Sequence, residues 1–300
     1  MSAQDRFDSL AQQKLVTVGS AQSRSALHSI REIFQQREML SLLVRRDLKS
    51  RYKDSALGFV WTLVRPLTQL LIYYVVIGQF LSAARAGGIP DFAIYVFTGL
   101  TAYGLLSETI GGGTSSIVGN AGLIKKIYLP REVFPLASVG SALFNFFIQL
   151  GILLVATLIA GAFPIHADVF YAIPALMVLL VFGMALGLFF AAVNVYLRDI
   201  QYLVEVMLLL LLWASPIVYS WSMVKNAVGD GLLLDIYTNN PITLAVLGFQ
   251  KAFWTAGSGV AEYPVDLLPR LGIAFVVGLV LLAIAQRVFS KLQGNFAQAL

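Results

Sequence analysis

Gly119-Asn-Ala-Gly-Leu-Ile-Lys-Lys-Ile-Tyr-Leu-Pro-Arg-Glu-Val-Phe-Pro135 is a short basic stretch set between two long apolar runs. Gly122 punctuates it on one side and Pro130 and Pro135 on the other, residues that interrupt regular structure. The runs cover about 91–112 and 133–161, each long enough to cross the ~30 Å of hydrocarbon in a bilayer. The stretch is therefore a turn held against a membrane surface. Its Leu, Ile and Lys residues suit one or two helical turns.

Composition agrees with that reading. Of 300 residues, 58% are hydrophobic and only 12% charged, where a soluble domain carries about a quarter charged residues. The mean hydropathy is +0.78. The apolar excess is gathered into runs of about twenty residues, which is the pattern of an all-α polytopic membrane protein. The chain has no cysteine and two histidines, His28 and His166. These fall on opposite sides of the membrane in the topology below, so no metal site and no His- or Cys-based catalytic centre is expected. The first thirty residues are polar and carry no apolar core of the kind a signal peptide needs. A net charge of +5 sets topology here, and nucleic acid is not expected as a partner.

Six spans are predicted, at about 57–81, 91–112, 133–161, 170–195, 203–221 and 267–289. An even number puts both termini on one side. That side then holds Arg45, Arg46, Lys49, Arg51, Lys53, Lys125, Lys126, Arg131, Arg198, Arg287, Lys291 and the basic residues further toward the N-terminus. The other side holds only Arg85, Lys225 and Lys251. Basic residues stay in the cytoplasm, so both termini are expected there. Residues 222–266 form the longest outer loop, and its apolar part, Ile242 to Trp254, is too short to cross. Short re-entrant or outer-side helices are expected between spans five and six.

Outside the spans the chain divides simply. Residues 1–26 read as a flexible tail rich in Ser, Gln and Ala. Residues 27–56 place Leu27, Ile30, Phe34, Leu40, Val44, Leu48 and Tyr52 at helical spacing, with Arg45, Arg46, Lys49 and Arg51 between them. This predicts a basic amphipathic helix in the headgroup region, attracting anionic membrane lipids. Residues 57–290 form the transmembrane domain, and 291–300 a cytoplasmic tail.

The first span opens with Arg51-Tyr52, Ser55, Leu57-Gly58, Trp61 and Pro66-Leu67. This pattern resembles the membrane subunits (permeases) of ABC-2 type exporters of cell-surface polysaccharides, meaning O-antigen, capsule, teichoic acid, galactan and related glycans. Three further stretches, in the same order, are similar to that family. They are Gly122-Leu-Ile-Lys-Lys-Ile-Tyr-Leu-Pro-Arg131, then Tyr196-Leu-Arg-Asp-Ile200 with Ser215-Pro-Ile-Val-Tyr219, then Asn240-Pro241. Together they cover about 50–290. The resemblance implies a homodimer enclosing one pathway for a lipid-linked polysaccharide, driven by a dimeric ABC ATPase. The chain has no Gly-x-x-x-x-Gly-Lys-Ser/Thr loop to cradle phosphates, so MgATP belongs to that partner and no cofactor is expected in this chain. By resemblance Gly122, Leu123, Ile124, Lys125 and Lys126 meet the ATPase, with Arg198 and Asp199 as a second contact. The apolar Leu123 and Ile124 beside the lysines favour that role over a topology signal alone.

The resemblance also puts aromatic residues on a channel wall, where rings stack on sugar C–H faces. Tyr73, Tyr74 and Phe80 in span one and Trp213 and Tyr219 in span five are the candidates, with Arg65 for an anionic headgroup. Glu108 and Glu205 are read as lying near the cytoplasmic ends of their spans. Gly111–Gly113 is read as a flexible end of span two, and Gly183 with Gly187 as a close helix contact within the chain. An ABC-2 exporter of drugs or lipids shares this fold and stays open as an alternative. An ion-coupled secondary transporter would need acidic relays near the bilayer midplane, which Glu108 and Glu205 do not supply in this reading.

Overall fold

A computed structural model describes residues 37–52, 60–72, 74–75, 89–126 and 129–300. The expected tail 1–26, the start of the amphipathic helix, and Tyr73 and Phe80 lie outside the described residues, as do the side chains of Arg51 and Arg65. Among the described residues every regular element is helical. In chain order these are α1 (Arg37–Tyr52), α2 (Val60–Ile72), α3 (Phe92–Gly119), the single turn α4 (Ala121–Ile124), α5 (Val133–Ile159) and α6 (Ala172–Asn194). There follow α7 (Ile200–Trp213), α8 (Trp221–Val228), α9 (Leu232–Thr238), α10 (Pro241–Phe253), α11 (Leu267–Leu292) and α12 (Phe296–Ala299).

The helices α5, α6 (with the 3-10 turn before it) and α11 are long and apolar enough to cross a membrane. A fourth crossing results if α9 and α10, bent by 68° at Asn239–Asn240, are taken together. The shorter α2 and α7 are also apolar. At 28 residues α3 has the length but mixes Gly, Thr and Ser with its apolar residues, because it is the helix the others surround. Val96, Thr98, Thr101, Ala102, Ile110, Thr114 and Ile117 are all fully buried on it. Three of its buried hydroxyls are satisfied within the helix: Thr98, Thr101 and Thr114 each donate to the carbonyl four residues back, at 2.7–2.8 Å.

Close approach replaces bulk along this helix. A methyl group at Gly113 would lie 2.9 Å from the Gly187 Cα, and one at Gly183 would lie 2.9 Å from Thr109 Cγ2. The Gly183/Gly187 pair is thus an intrachain packing seam. Gly111–Gly113, expected to end span two, instead lies well inside α3, which runs on to Gly119. The glycines serve the α3–α6 contact, and a neighbouring helix supplies the packing that an isolated glycine run lacks. The longer helix also corrects the depth of Glu108, which sits in the middle part of α3 and accepts a hydrogen bond from Asn145 of α5 at 2.6 Å.

The fifth predicted span, 203–221, is interrupted. Its helix stops at Trp213 and the chain is non-helical from Ala214 to Ser220, where Pro216 can neither donate to the helix nor fit its next turn. The Asn240–Pro241 pair begins α10: the Asn240 side chain accepts from the Ile242 N–H at 3.1 Å, and Pro241 occupies the first helical turn. The apolar stretch expected to be re-entrant or interfacial is then buried in the bundle, from Ile242 through Gln250.

Replacing Gly113 by Ala should spread α3 from α6 and lower stability by about 1–3 kcal/mol, the usual range for overpacking. The matched change Gly111→Ala meets nothing within 4 Å and should leave the unfolding midpoint in detergent at or above the parent value. Equal midpoints for the two variants would remove the close-approach account.

Candidate functional site

A second apolar core lies at one end of the bundle. Leu43 of α1, Ile117 of α3, Ile124 of α4, Val133 and Phe134 of α5, Ala191 and Val195 at the end of α6, Phe289 of α11 and Phe296 of α12 share it. Three of the segments singled out in the sequence, the basic helix, the 119–135 stretch and the last ten residues, therefore meet here. The turn α4 hangs from Asn120, whose amide donates to the Ser116 carbonyl at 2.7 Å. The Asn120 side-chain oxygen accepts from Arg46 Nη2 at 2.7 Å, joining α1 to the turn. Within the turn the expected roles divide. Ile124 is only 9% exposed and anchors α4 to the bundle, while Gly122, Lys125 and Lys126 are exposed and Leu123 is half-buried. Ile124 therefore faces the core, against the expectation that it stands free beside the lysines, because the end of α3 and the start of α5 leave an apolar gap that it fills.

Helix α1 carries Arg45, Arg46 and Lys49 exposed. Its apolar face is turned onto the protein. Leu43 is buried, Leu40 and Val44 pack on the same core, and α1 crosses α5 so closely that a methyl at Gly140 would sit 2.7 Å from Val44 Cγ2. The face assigned to lipid is thus occupied by α5, and Leu42 remains as an exposed apolar residue. The loop after α6 leaves Leu197 60% exposed, with Arg198 and Asp199 exposed beside it. Its neighbour Tyr196 donates its hydroxyl to the Leu292 carbonyl at 2.9 Å.

Of the expected channel residues, Tyr74, Trp213 and Tyr219 are among the described residues with their side chains. Tyr74 follows α2 and is 55% exposed, and Trp213 ends α7 at 61% exposed. Most of α7 is outward: Tyr202, Leu203, Val206, Leu209, Leu210 and Trp213 are exposed and only Val204 is buried. Glu205 is exposed on the same helix. Leu63, Leu67 and Leu70 of α2 face Phe147, Gly151 and Val155 of α5 across an apolar groove of about 470 Å³. Tyr219 differs from the others, being half-buried with its hydroxyl donated to the Trp213 carbonyl at 2.6 Å. It folds back on the helix end in place of presenting its hydroxyl outward. Among the described residues no three His, Cys, Asp or Glu side chains gather as a metal site requires.

The stretch from 38 to 254, which takes in α1 through α10 and the core α3–α6 pair, matches the ABC-2 type transporter family. The chain belongs to that family. The protein called O-antigen export system permease protein RfbA in Myxococcus xanthus is 31% identical over 271 residues, covering 90% of this chain and 98% of the relative. Proteins of the same name in Klebsiella pneumoniae are 26% and 25% identical over 264 residues, covering 88% of this chain and 95% of each relative. Members of the family are transport subunits and not ATPases, and with its apolar helices this ABC-2 permease is a multi-pass protein of the bacterial inner membrane.

Two residues that sequence reasoning passed over hold the break that follows α7 in the permease. The Tyr95 hydroxyl lies 2.9 Å from the Pro216 carbonyl and 2.8 Å from that of Tyr219. Gln250 Nε2 donates to the same Pro216 carbonyl at 2.7 Å. Backbone freed from a helix in apolar surroundings must find such donors, and Gln250, a lone amide within an apolar helix, was the available signal. On the side of α8, the Lys225 ammonium pairs with Glu262 and lies 5.6 Å from the Trp221 ring centroid. The hydrogen bond to Glu262 raises the Lys225 pKa, and burial raises that of the Tyr263 hydroxyl nearby.

Tyr95→Phe leaves the Tyr219 carbonyl without its donor and should lower stability by about 1–3 kcal/mol. Gln250→Leu should cost less alone, because Tyr95 still serves Pro216. The double variant strips both donors from one carbonyl, so its loss should exceed the sum of the two, read from unfolding curves in detergent. Simple additivity would show that the two side chains do not share this task.

Proposed function

We propose that this permease is the membrane half of an ATP-driven exporter that moves a lipid-linked cell-surface polysaccharide from the cytoplasm across the inner membrane. One observation carries the reading: relatives named for O-antigen export match this chain over nearly their whole length. The glycan class, the lipid carrier and the ATPase belong to the proposal.

The charge distribution supports an orientation. Arg45, Arg46, Lys49, Lys125, Lys126, Arg198, Arg287 and Lys291 all belong to the end that holds the second core, whereas Lys225, Lys251 and Arg270 belong to the other. Basic residues remain cytoplasmic, so the second core and both termini lie in the cytoplasm. Six crossings follow: the segment carrying α2, then α3, α5, α6, α7 with the irregular 214–220 segment, and α11. A dimeric ABC ATPase then docks on Gly122, Leu123, Lys125 and Lys126, with Arg198 and Asp199 as its second contact. Ile124 transmits the push, since it is the residue of the turn that enters the core. Two copies of the permease face each other through α2 and α7, whose outward faces supply Tyr74 and Trp213 to a shared path. Flat aromatic surfaces let a repetitive polymer slide without a single deep site. The ATPase changes the opening by favouring one of two arrangements of these helices.

Depleting the permease should cause lipid-linked glycan to accumulate inside the cell, measured by extraction and gel analysis, while surface glycan falls. Retained surface glycan without internal accumulation would sink the reading. Leu123→Asp and Lys125→Glu should each break the link between ATP hydrolysis and export while the purified permease stays folded and dimeric. ATP consumed per unit of glycan exported, unchanged from the parent, would take α4 out of the mechanism.

A further inference from the structure

The last residues of the chain read as a tail, yet they are packed. Helix α11 tightens into a 3-10 turn at Gln293–Asn295, and α12 returns Phe296 to the second core, where it is fully buried. Chain ends order only when something ties them down. Here the ties reach three different segments. The Phe296 ring meets Phe289 of α11 edge-on at 5.5 Å and Tyr196 of the α6–α7 loop at 6.1 Å, and the Arg131 guanidinium lies 5.6 Å from its centroid.

Hydrogen bonds double the connection. Glu132, between α4 and α5, is buried, and its Oε1 accepts from Gln293 at 3.0 Å and from Gln286 at 3.4 Å. Gln286 and Gln293 are two helical turns apart and share one face of the chain. A buried carboxylate needs such donors, and its position at the start of α5 suits the positive end of that helix. On the other side the Tyr196 hydroxyl donates to the Leu292 carbonyl at 2.9 Å. The end of α11 is therefore tied both to the exit of the α4 turn and to the loop bearing Arg198 and Asp199.

We propose that residues 293–300 are a clamp that joins the two ATPase-contact segments into one body. With the clamp closed, a displacement of α4 moves the cytoplasmic ends of α5, α6 and α11 together. With it open, the displacement is absorbed in the turn. Phe296, Tyr196, Glu132 and Gln293 are positioning residues in this scheme and touch neither nucleotide nor cargo. The inference rests on the proposed docking of the ATPase at α4, and it adds that the force reaches the bundle through the C-terminus.

The test uses the full-length permease in complex with its ATPase, expressed in the host strain. Export is read from a pulse of radiolabelled sugar reaching the cell surface, and MgATP hydrolysis from the purified complex. Phe296→Ala should lower glycan exported per ATP hydrolysed about fivefold, a size usual for mutations along a coupling path. Complex assembly should stay near the parent value, the unfolding midpoint should fall because a fully buried ring is removed, and Phe296→Leu should restore the ratio. Should Phe296→Ala fail to assemble, the pair Tyr196→Phe with Gln293→Ala, which keeps the ring in place, decides by the same ratio. Leu123→Asp runs beside them as the test of docking. Loss of coupling in both Leu123→Asp and the clamp variants supports the clamp. Loss in Leu123→Asp with parent-like clamp variants overturns the clamp and leaves the docking reading standing. Parent-like coupling in all of them overturns both.

Discussion

The contact between α3 and α6 through Gly113, Gly183 and Gly187 is the constraint on which the rest of the permease depends. In a bilayer the lipid chains are as apolar as leucine, so burying apolar surface gives helices little reason to associate. Shape does: backbones that approach closely gain many small attractions and exclude lipid. Both cores are built around this pair. The larger one takes Leu105, Ile110 and Leu179 from it, and the smaller takes Ile117 and Ala191. The α4 turn hangs from the end of α3 and the exposed Leu197–Asp199 loop from the end of α6. The spacing of these two segments is thus set by a helix contact inside the bundle.

A second constraint shapes the other end. Helices may break at membrane depth only where side chains take over the freed backbone groups. Tyr95 and Gln250 do this for the 214–220 segment, and Asn240 caps the Ile242 N–H at the start of α10, where Pro241 carries no N–H to satisfy. The same accounting explains Thr98, Thr101 and Thr114, whose hydroxyls return to their own helix. These polar residues brace the backbone, and Tyr95 and Gln250 do so next to α7, whose outward face stays exposed.

Legibility in the sequence varied with the range of the interaction that decides each residue. Long apolar runs revealed α5, α6 and α11 to within a few residues, since crossing length and apolarity are properties of the run itself. The family match was legible because its motifs stand in order along the chain. The extent of α3 was not, because a Gly-Gly-Gly run reads as a break until a partner helix packs against it. Ile124 read as part of an exposed surface, because a short apolar–basic turn looks alike whether it faces solvent or a core. The C-terminal ten residues looked like a tail, since Phe296 is one aromatic among polar and small neighbours.

The sequence by itself determined that this is a helical membrane protein with a basic turn between two of its long apolar runs, and which family it belongs to. Those conclusions rest on local quantities: run length, charge and the order of short motifs. Only the tertiary structure decided that Ile124 anchors the turn, that α1 lies on α5, that Tyr95 and Gln250 hold the break after Trp213, and that Phe296 closes the second core. Each of those depends on residues far apart in the chain meeting across a gap of a few ångströms. No local pattern records which neighbour will fill that gap.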